Sequence, residues 1–209
     1  MTAFWTTGIT DLTDLTDDPD VVSMRSDTWL CNPPYTLTCN NRQEILSPDE
    51  WLSDSVIDAS QKLILQQFPH MSGLQTPVLA QTLAFQVHRE EFVQIINVRN
   101  NDWCVVSNVG CSEGVVNVYD SMYPSVSTAT IRVIASLIFS SASKLVVRMM
   151  DVGKQSNGSD CGVLAIAFAY DICTGADPCE VNFDHKSIRQ HLAQCLEKCS
   201  LSCFSLVGE

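Results

Sequence analysis

Positive charge is scarce in this 209-residue chain: 12 Lys and Arg stand against 24 Asp and Glu, a net charge of −12. Such a balance repels a phosphate backbone, which argues against nucleic-acid binding and is compatible with a basic protein partner. Long apolar runs are missing too. The longest, at 162–170, is far short of the roughly 20 residues a membrane span needs, so no membrane association is expected. No basic segment leads into an apolar one at the N-terminus, so no signal peptide is expected. There are ten cysteines but no CxxC pair, and the chain is too long for a small stapled scaffold. Free thiols in a reducing compartment, cytoplasm or nucleus, are the expectation. Nothing in the sequence calls for a cofactor.

What is present suits a packed domain. Hydrophobic residues make up 45% and charged residues 17%, enough for one real core. Some of the negative charge is local. Residues 1–30 hold six aspartates against Arg25, a balance of −5, so the remainder carries −7. The run "DLTDLTDD" lies in this stretch. Residues 1–27 offer too little apolar area to offset ordering entropy and read as an acidic mobile tail ahead of a domain at 28–209.

Residues 28–47 read as an irregular lead-in, broken by "NPPY" at 32–35. The stretch 47–69 reads as a helix, with Ser47 as N-cap, Pro48 in the first turn, and Leu52, Val56, Ile57 and Leu63 at helical spacing. Residues 91–98 and 103–109 read as a hairpin of two buried strands, and 115–121 as a third strand. A capped amphipathic helix at 127–139 and a fourth strand at 144–152 follow. The apolar helix from Cys161 and a last helix at 184–199 complete an α+β domain with a mostly antiparallel sheet.

Cys161 stands where the polar loop "QSNGSD" (155–160) meets that apolar helix. The first N–H groups of a helix have no intrahelical partner, and the helix dipole is positive there. A thiolate is stabilised at such a place, so its pKa is expected to fall. The same N–H groups can hold the oxyanion of a tetrahedral intermediate. Gly162 lets a substrate backbone approach, and Gln155 could donate a second oxyanion bond. The plainer alternative is a buried cysteine near a helix start.

Four segments together resemble the ubiquitin-like proteases, the SUMO (sentrin-specific) cysteine peptidases. "QSNGSDCG" resembles their Gln-x5-Cys-Gly nucleophile motif, and "WLSDSVI" (51–57) their Trp-Leu-x-Asp-x-x-Ile entry motif. "VYDS" (118–121) resembles the strand ending in the catalytic Asp, and "NNDWCVVS" (100–107) the His-Trp strand. The resemblance covers roughly 45–200. It implies a papain-like cysteine peptidase fold in its adenovirus-protease-like arrangement, with helices flanking the central sheet. It also implies cleavage of ubiquitin-like modifiers, or of their conjugates, after Gly-Gly. Cys161 would be the nucleophile, Gln155 the oxyanion donor, and Asp120 the residue that orients the histidine. Trp51 and Trp103 would flank the channel for the Gly-Gly tail, and Asp54 would lie on the modifier-binding face. Without the resemblance, both tryptophans read equally well as core aromatics.

The sequence departs from that pattern at one position: Asp102 stands where the family has histidine. An imidazole takes the thiol proton, and the resulting cation holds the thiolate. A carboxylate does the opposite and raises the thiol pKa. Two unit charges ~4 Å apart interact by roughly 4 kcal/mol at an effective dielectric of 20, about three pKa units. The spacing of His70, His88, His185 and His191 points none of them at Cys161. The expectation is an impaired peptidase or a modifier-binding pseudoprotease.

Two weaker patterns remain. His191, Cys195, Cys199 and Cys203 recur every four residues, as zinc ligands can. Ile188, Leu192, Cys195 and Cys199 also form an apolar helix face, and packing is the preferred reading, with no metal expected. "NGS" at 157–159 matches a glycosylation acceptor, which needs a secretory route.

Overall fold

The computed structural model describes residues 27–98 and 102–204. The acidic tail expected at 1–27 lies, but for Asp27, outside the described residues.

The chain opens with an antiparallel hairpin, β1 (Thr28–Asn32) and β2 (Tyr35–Thr38), turning at Pro33–Pro34. Helix α1 (Cys39–Leu46) follows directly. The Thr38 hydroxyl accepts from Asn41 N–H while the Asn41 side chain accepts from Thr38 N–H. That reciprocal capping satisfies two donors and starts a helix whose first turn, Cys39–Asn41, holds weak helix formers. The irregular lead-in expected at 28–47 is therefore a hairpin and a helix, with "NPPY" forming the turn.

The expected helix at 47–69 begins seven residues later. Helix α2 spans Asp54–Gln67, with Ser53 at its N-cap, and Ser47 instead ends α1. Residues 48–53 form an irregular strap, turning at Pro48–Asp49, whose backbone is held by distant parts of the chain. Those tertiary bonds override the local start signal at Ser47–Pro48.

Next come β3 (Ser72–Gly73), the single-turn α3 (Leu79–Thr82), β4 (Phe92–Val98), β5 (Asp102–Ser107) and β6 (Val115–Tyr119). Helix α4 (Thr128–Leu137) is capped by Ser127, whose hydroxyl accepts from Thr130 N–H. Strand β7 (Val146–Met149), α5 (Cys161–Thr174) and α6 (Ile188–Glu197) complete the order. The five-stranded sheet runs β3-β4-β5-β6-β7. Its two central pairings are antiparallel and its two outer ones parallel, so the sheet is mixed, not mostly antiparallel. The return of the chain through α4 between β6 and β7 requires that parallel pairing.

The strands alternate between two cores. Val93, Ile95, Trp103, Val105 and Tyr119 face α5, α2 and α6. Phe92, Ile96, Cys104, Val106, Val116 and Val118 pack against Ile134 and Leu137 of α4. Helix α5 is buried from Cys161 through Cys173. An all-round apolar helix is stable only as a central element, and each large side chain it buries contributes about 1.5–3 kcal/mol. This central helix carries Cys161 at its first residue and fixes it against β5.

Candidate active site

The antiparallel register Val105↔Tyr119 brings the C-terminal end of β6 alongside the N-terminal half of β5. Asp120 follows the first strand end directly, and Asp102 begins the second. The N-terminus of α5, packed on β5, sets Cys161 at the same end. Cys161, Asp102 and Asp120 are all buried, at 0%, 2% and 4% exposure.

The side chains form two groups. In the first, the negative charge of Asp102 acts on the Cys161 thiol, and the Trp103 backbone N–H lies within hydrogen-bond reach of it. In the second, Ser121, next to Asp120, donates to Gln155 Oε1 at 2.7 Å, and Gln155 N–H donates to the Ser121 carbonyl. Gln155 Nε2 donates to the Asn157 carbonyl at 2.7 Å. Asp120 Oδ1 accepts from the N–H groups of Met122 and Tyr123, which fixes the turn after β6. Lys154 Nζ donates to the Asp120 carbonyl at 2.8 Å.

Burial pushes the Cys161 thiol up to about 11. The Trp103 N–H opposes this, the Asp102 charge adds to it, and the Gly162 and Cys161 N–H groups oppose it less strongly. The expected helix-start effect therefore has the right sign but is outweighed by desolvation, and the thiol pKa rises where the helix start alone predicted a fall. Asp102 acts in the expected direction, behind burial in size.

A strap of residues 48–53 crosses this corner. The Ser159 hydroxyl donates to the Pro48 carbonyl at 2.5 Å, and Arg189 Nη2 donates to the Glu50 carbonyl at 2.8 Å. Trp51 Nε1 donates to the Gly158 carbonyl at 2.6 Å, and Trp103 Nε1 to the Leu52 carbonyl at 2.9 Å. Ser53 N–H donates to the Glu44 carboxylate. Trp103 is thus a core aromatic, 3% exposed, whereas Trp51 lies on the surface at 48%. Asp54 opens α2 beside the strap, its carboxyl pushed up by burial and by Asp58.

Sequence reading missed Arg189. It sits on the inward stripe of α6 with Leu192, Ala193 and Leu196. A basic residue on an apolar stripe was the available signal. Its five N–H donors reach Asp160 Oδ1 at 2.6 Å and the carbonyls of Glu44, Ile45, Glu50 and Ser159. Asp160, immediately before Cys161, also accepts from Asn157 Nδ2 at 2.8 Å.

Each of the four histidines has a partner other than Cys161. His70 meets Phe68 edge-on, and His88 stacks on Phe92 with Gln75 Nε2 at 2.8 Å. His185 Nδ1 is 3.8 Å from Asp160 Oδ2. His191 Nε2 is 3.3 Å from Cys195 Sγ, where Cys195 is buried while Cys199 and Cys203 are exposed. Among the described residues no group of three or more metal-binding side chains converges, and no helix is long and apolar enough to cross a membrane.

By sequence, no family model and no curated protein matches the chain. By structure, the chain has the papain-like α+β fold of cysteine peptidase domains. Within that class its fold is that of the SUMO-protease catalytic domains. SUMO protease Ulp1, with its catalytic cysteine oxidised to a sulfenic acid, superposes with a TM-score of 0.66 at 14% identity, covering 82% of this chain and 88% of that one. The Ulp1 protease domain in complex with Smt3, the yeast ortholog of SUMO, gives 0.64 at 14%, covering 82% and 87%. The Ulp1-like SUMO protease catalytic domain of Chaetomium thermophilum gives 0.54 at 17%, covering 82% and 86%. The resemblance carried by four short motifs is thereby matched across the fold.

Proposed function

We propose that this chain is a cysteine-type peptidase or isopeptidase domain directed at ubiquitin-like modifiers, cleaving after Gly-Gly, with turnover impaired by Asp102. The single observation that carries this reading is a carboxylate, in place of an imidazole, acting on a buried thiol that stands at about 11. At pH 7 such a thiol is ionised to about one part in ten thousand, against a few per cent for an unperturbed one. Cys161 is the nucleophile of this reading. Gln155 and the first N–H groups of α5 are the oxyanion donors, and Asp120 is a histidine-orienting residue left without its histidine. Trp51 and Trp103 flank the Gly-Gly tail and Asp54 faces the modifier, whereas the space at Gly162 that was expected to admit a substrate backbone is taken by the Leu52 side chain.

The same observation favours a second reading, a pseudoprotease that binds a modifier and does not release it by chemistry. The two share a partner and differ in rate. SUMO, in its yeast form Smt3, is the partner of one similar domain. The net charge of −12 favours a modifier with a basic face. Ten cysteines with no CxxC pair in the sequence favour a reducing compartment, cytoplasm or nucleus. The acidic stretch at 1–27 is read as a tail appended to the domain at 28–209.

Calorimetry with a panel of ubiquitin-like modifiers tests the shared claim. Saturable binding by one member is expected. Binding by none overturns both readings.

A further inference from the structure

We infer that Arg189 is a positioning residue for the nucleophile corner, holding the strap of residues 48–53 over Cys161. The inference rests on reading Cys161 as the nucleophile.

Arg189 is 7% exposed, and each of its five N–H donors has an acceptor. The acceptors are not scattered. Asp160 and Ser159 belong to the two residues before Cys161. Glu50 lies in the strap beside Trp51. Glu44 and Ile45 close α1, and Glu44 also holds the strap at Ser53. One guanidinium therefore joins three separately folded pieces: the end of α1, the strap and the loop that delivers the thiol. A planar fork with five fixed donors can do this, whereas an ammonium with three rotatable donors cannot span the same set.

The charge is placed to matter as well. Asp160 is 1% exposed and directly precedes Cys161, so without Arg189 a buried carboxylate beside the thiol would keep only Asn157 Nδ2 at 2.8 Å and His185 Nδ1 at 3.8 Å. The strap is what covers the corner: the Leu52 side chain packs on Gly162, and Trp51 reaches across to Gly158. Freeing Glu50 from Arg189 leaves that cover held only at its ends and through the two indoles.

The test is chloroacetamide labelling of Cys161, followed by peptide mass, in the natural chain and in Arg189→Lys and Arg189→Gln. Cys173, buried on the same helix, is the internal reference. Labelling of Cys161 is expected to rise about tenfold in both variants, the change that one lost charge-assisted hydrogen bond makes to an opening equilibrium. Labelling of Cys173 is expected to stay unchanged. Equal rises at both cysteines would mean global loosening and overturn the inference, as would no rise at Cys161. If one variant fails to fold, the other decides. If neither folds, Arg189 is a structural residue and the inference is overturned. The reagent needs no modifier, so a chain that binds none leaves this result readable.

Discussion

The side chain of Leu52 fills the space a β-carbon at Gly162 would need, with its own Cβ 2.9 Å from that position. Leu52 is itself fixed, because Trp103 Nε1 holds its carbonyl. The corner around the nucleophile is therefore closed by packing on one side and by an indole hydrogen bond on the other. Gly162→Ala is expected to cost about 1–3 kcal/mol in denaturant unfolding, through overpacking against a side chain that cannot swing away. Unchanged stability would mean that the strap yields freely.

Trp51 and Trp103 should separate cleanly in mutagenesis. Trp103 is core, and Trp103→Ala is expected to cost about 3–5 kcal/mol. Trp51 is half exposed with one hydrogen bond, so Trp51→Ala should cost about 1 kcal/mol of stability. Its loss in modifier affinity should be larger, about 2 kcal/mol or roughly thirtyfold, as for a central aromatic of an interface. Calorimetry beside thermal unfolding measures both. A Trp51→Ala domain that binds as tightly as the parent removes Trp51 from the binding face.

Asp171, in the last turn of α5, gives a pH signature remote from the thiol. Burial holds its carboxyl up at about 6, and Oδ2 finds no hydrogen-bond partner among the described residues. The folded state keeps this proton at a pH where the unfolded chain, near the ordinary 3.8, has lost it. Its contribution is therefore fully present below about pH 4 and lost as the pH rises through about 6. Asp171→Asn should stabilise the domain at pH 7 by about 1–3 kcal/mol and leave it unchanged near pH 3. Unfolding curves at the two values check the sign; a gain confined to acid pH would contradict it.

Several elements were legible because their signals were local. The β4–β5 hairpin, the Ser127 cap of α4 and the start of α5 at Cys161 followed from alternation, capping and a loop-to-apolar boundary. Helix α1 was hidden because only Ile45 of its residues is buried, so no apolar stripe marks it; the Thr38–Asn41 cap was its one clue. The start of α2 differs from the expectation because Ser47–Pro48 and Ser53–Asp54 are equally good starts, and contacts distant in sequence, from Ser159, Arg189 and Trp103 among others, hold the strap between them out of a helix. Arg189 meets partners more than a hundred residues away in sequence, at Glu44, Ile45 and Glu50. Asp102, Asp120, Gln155 and Cys161, singled out from separate motifs, lie at the start of β5, just after β6, in the loop before α5 and at the first residue of α5. The upward push of Asp102 on the thiol was legible, but the larger contribution of burial was not, because desolvation depends on how deeply α5 is packed, which no motif encodes.

Because burial exceeds the Asp102 charge in raising the thiol, Asp102→Asn should lower the Cys161 pKa only in part. The rate of Cys161 alkylation below its pKa should rise, with the thiol still above its ordinary value. A return to that ordinary value would mean that Asp102, not burial, dominates.

The most direct measurement is cleavage of a Gly-Gly modifier fusion by the natural chain and by Asp102→His, with Asp102→His plus Cys161→Ala as control. Histidine replaces a repelling charge with a proton acceptor, and a positioned general base is worth about 10²–10⁴-fold. The account predicts a gain of that order in Asp102→His and no activity in the control. A natural chain that cleaves as fast as Asp102→His would contradict it, and would require another group to take the thiol proton.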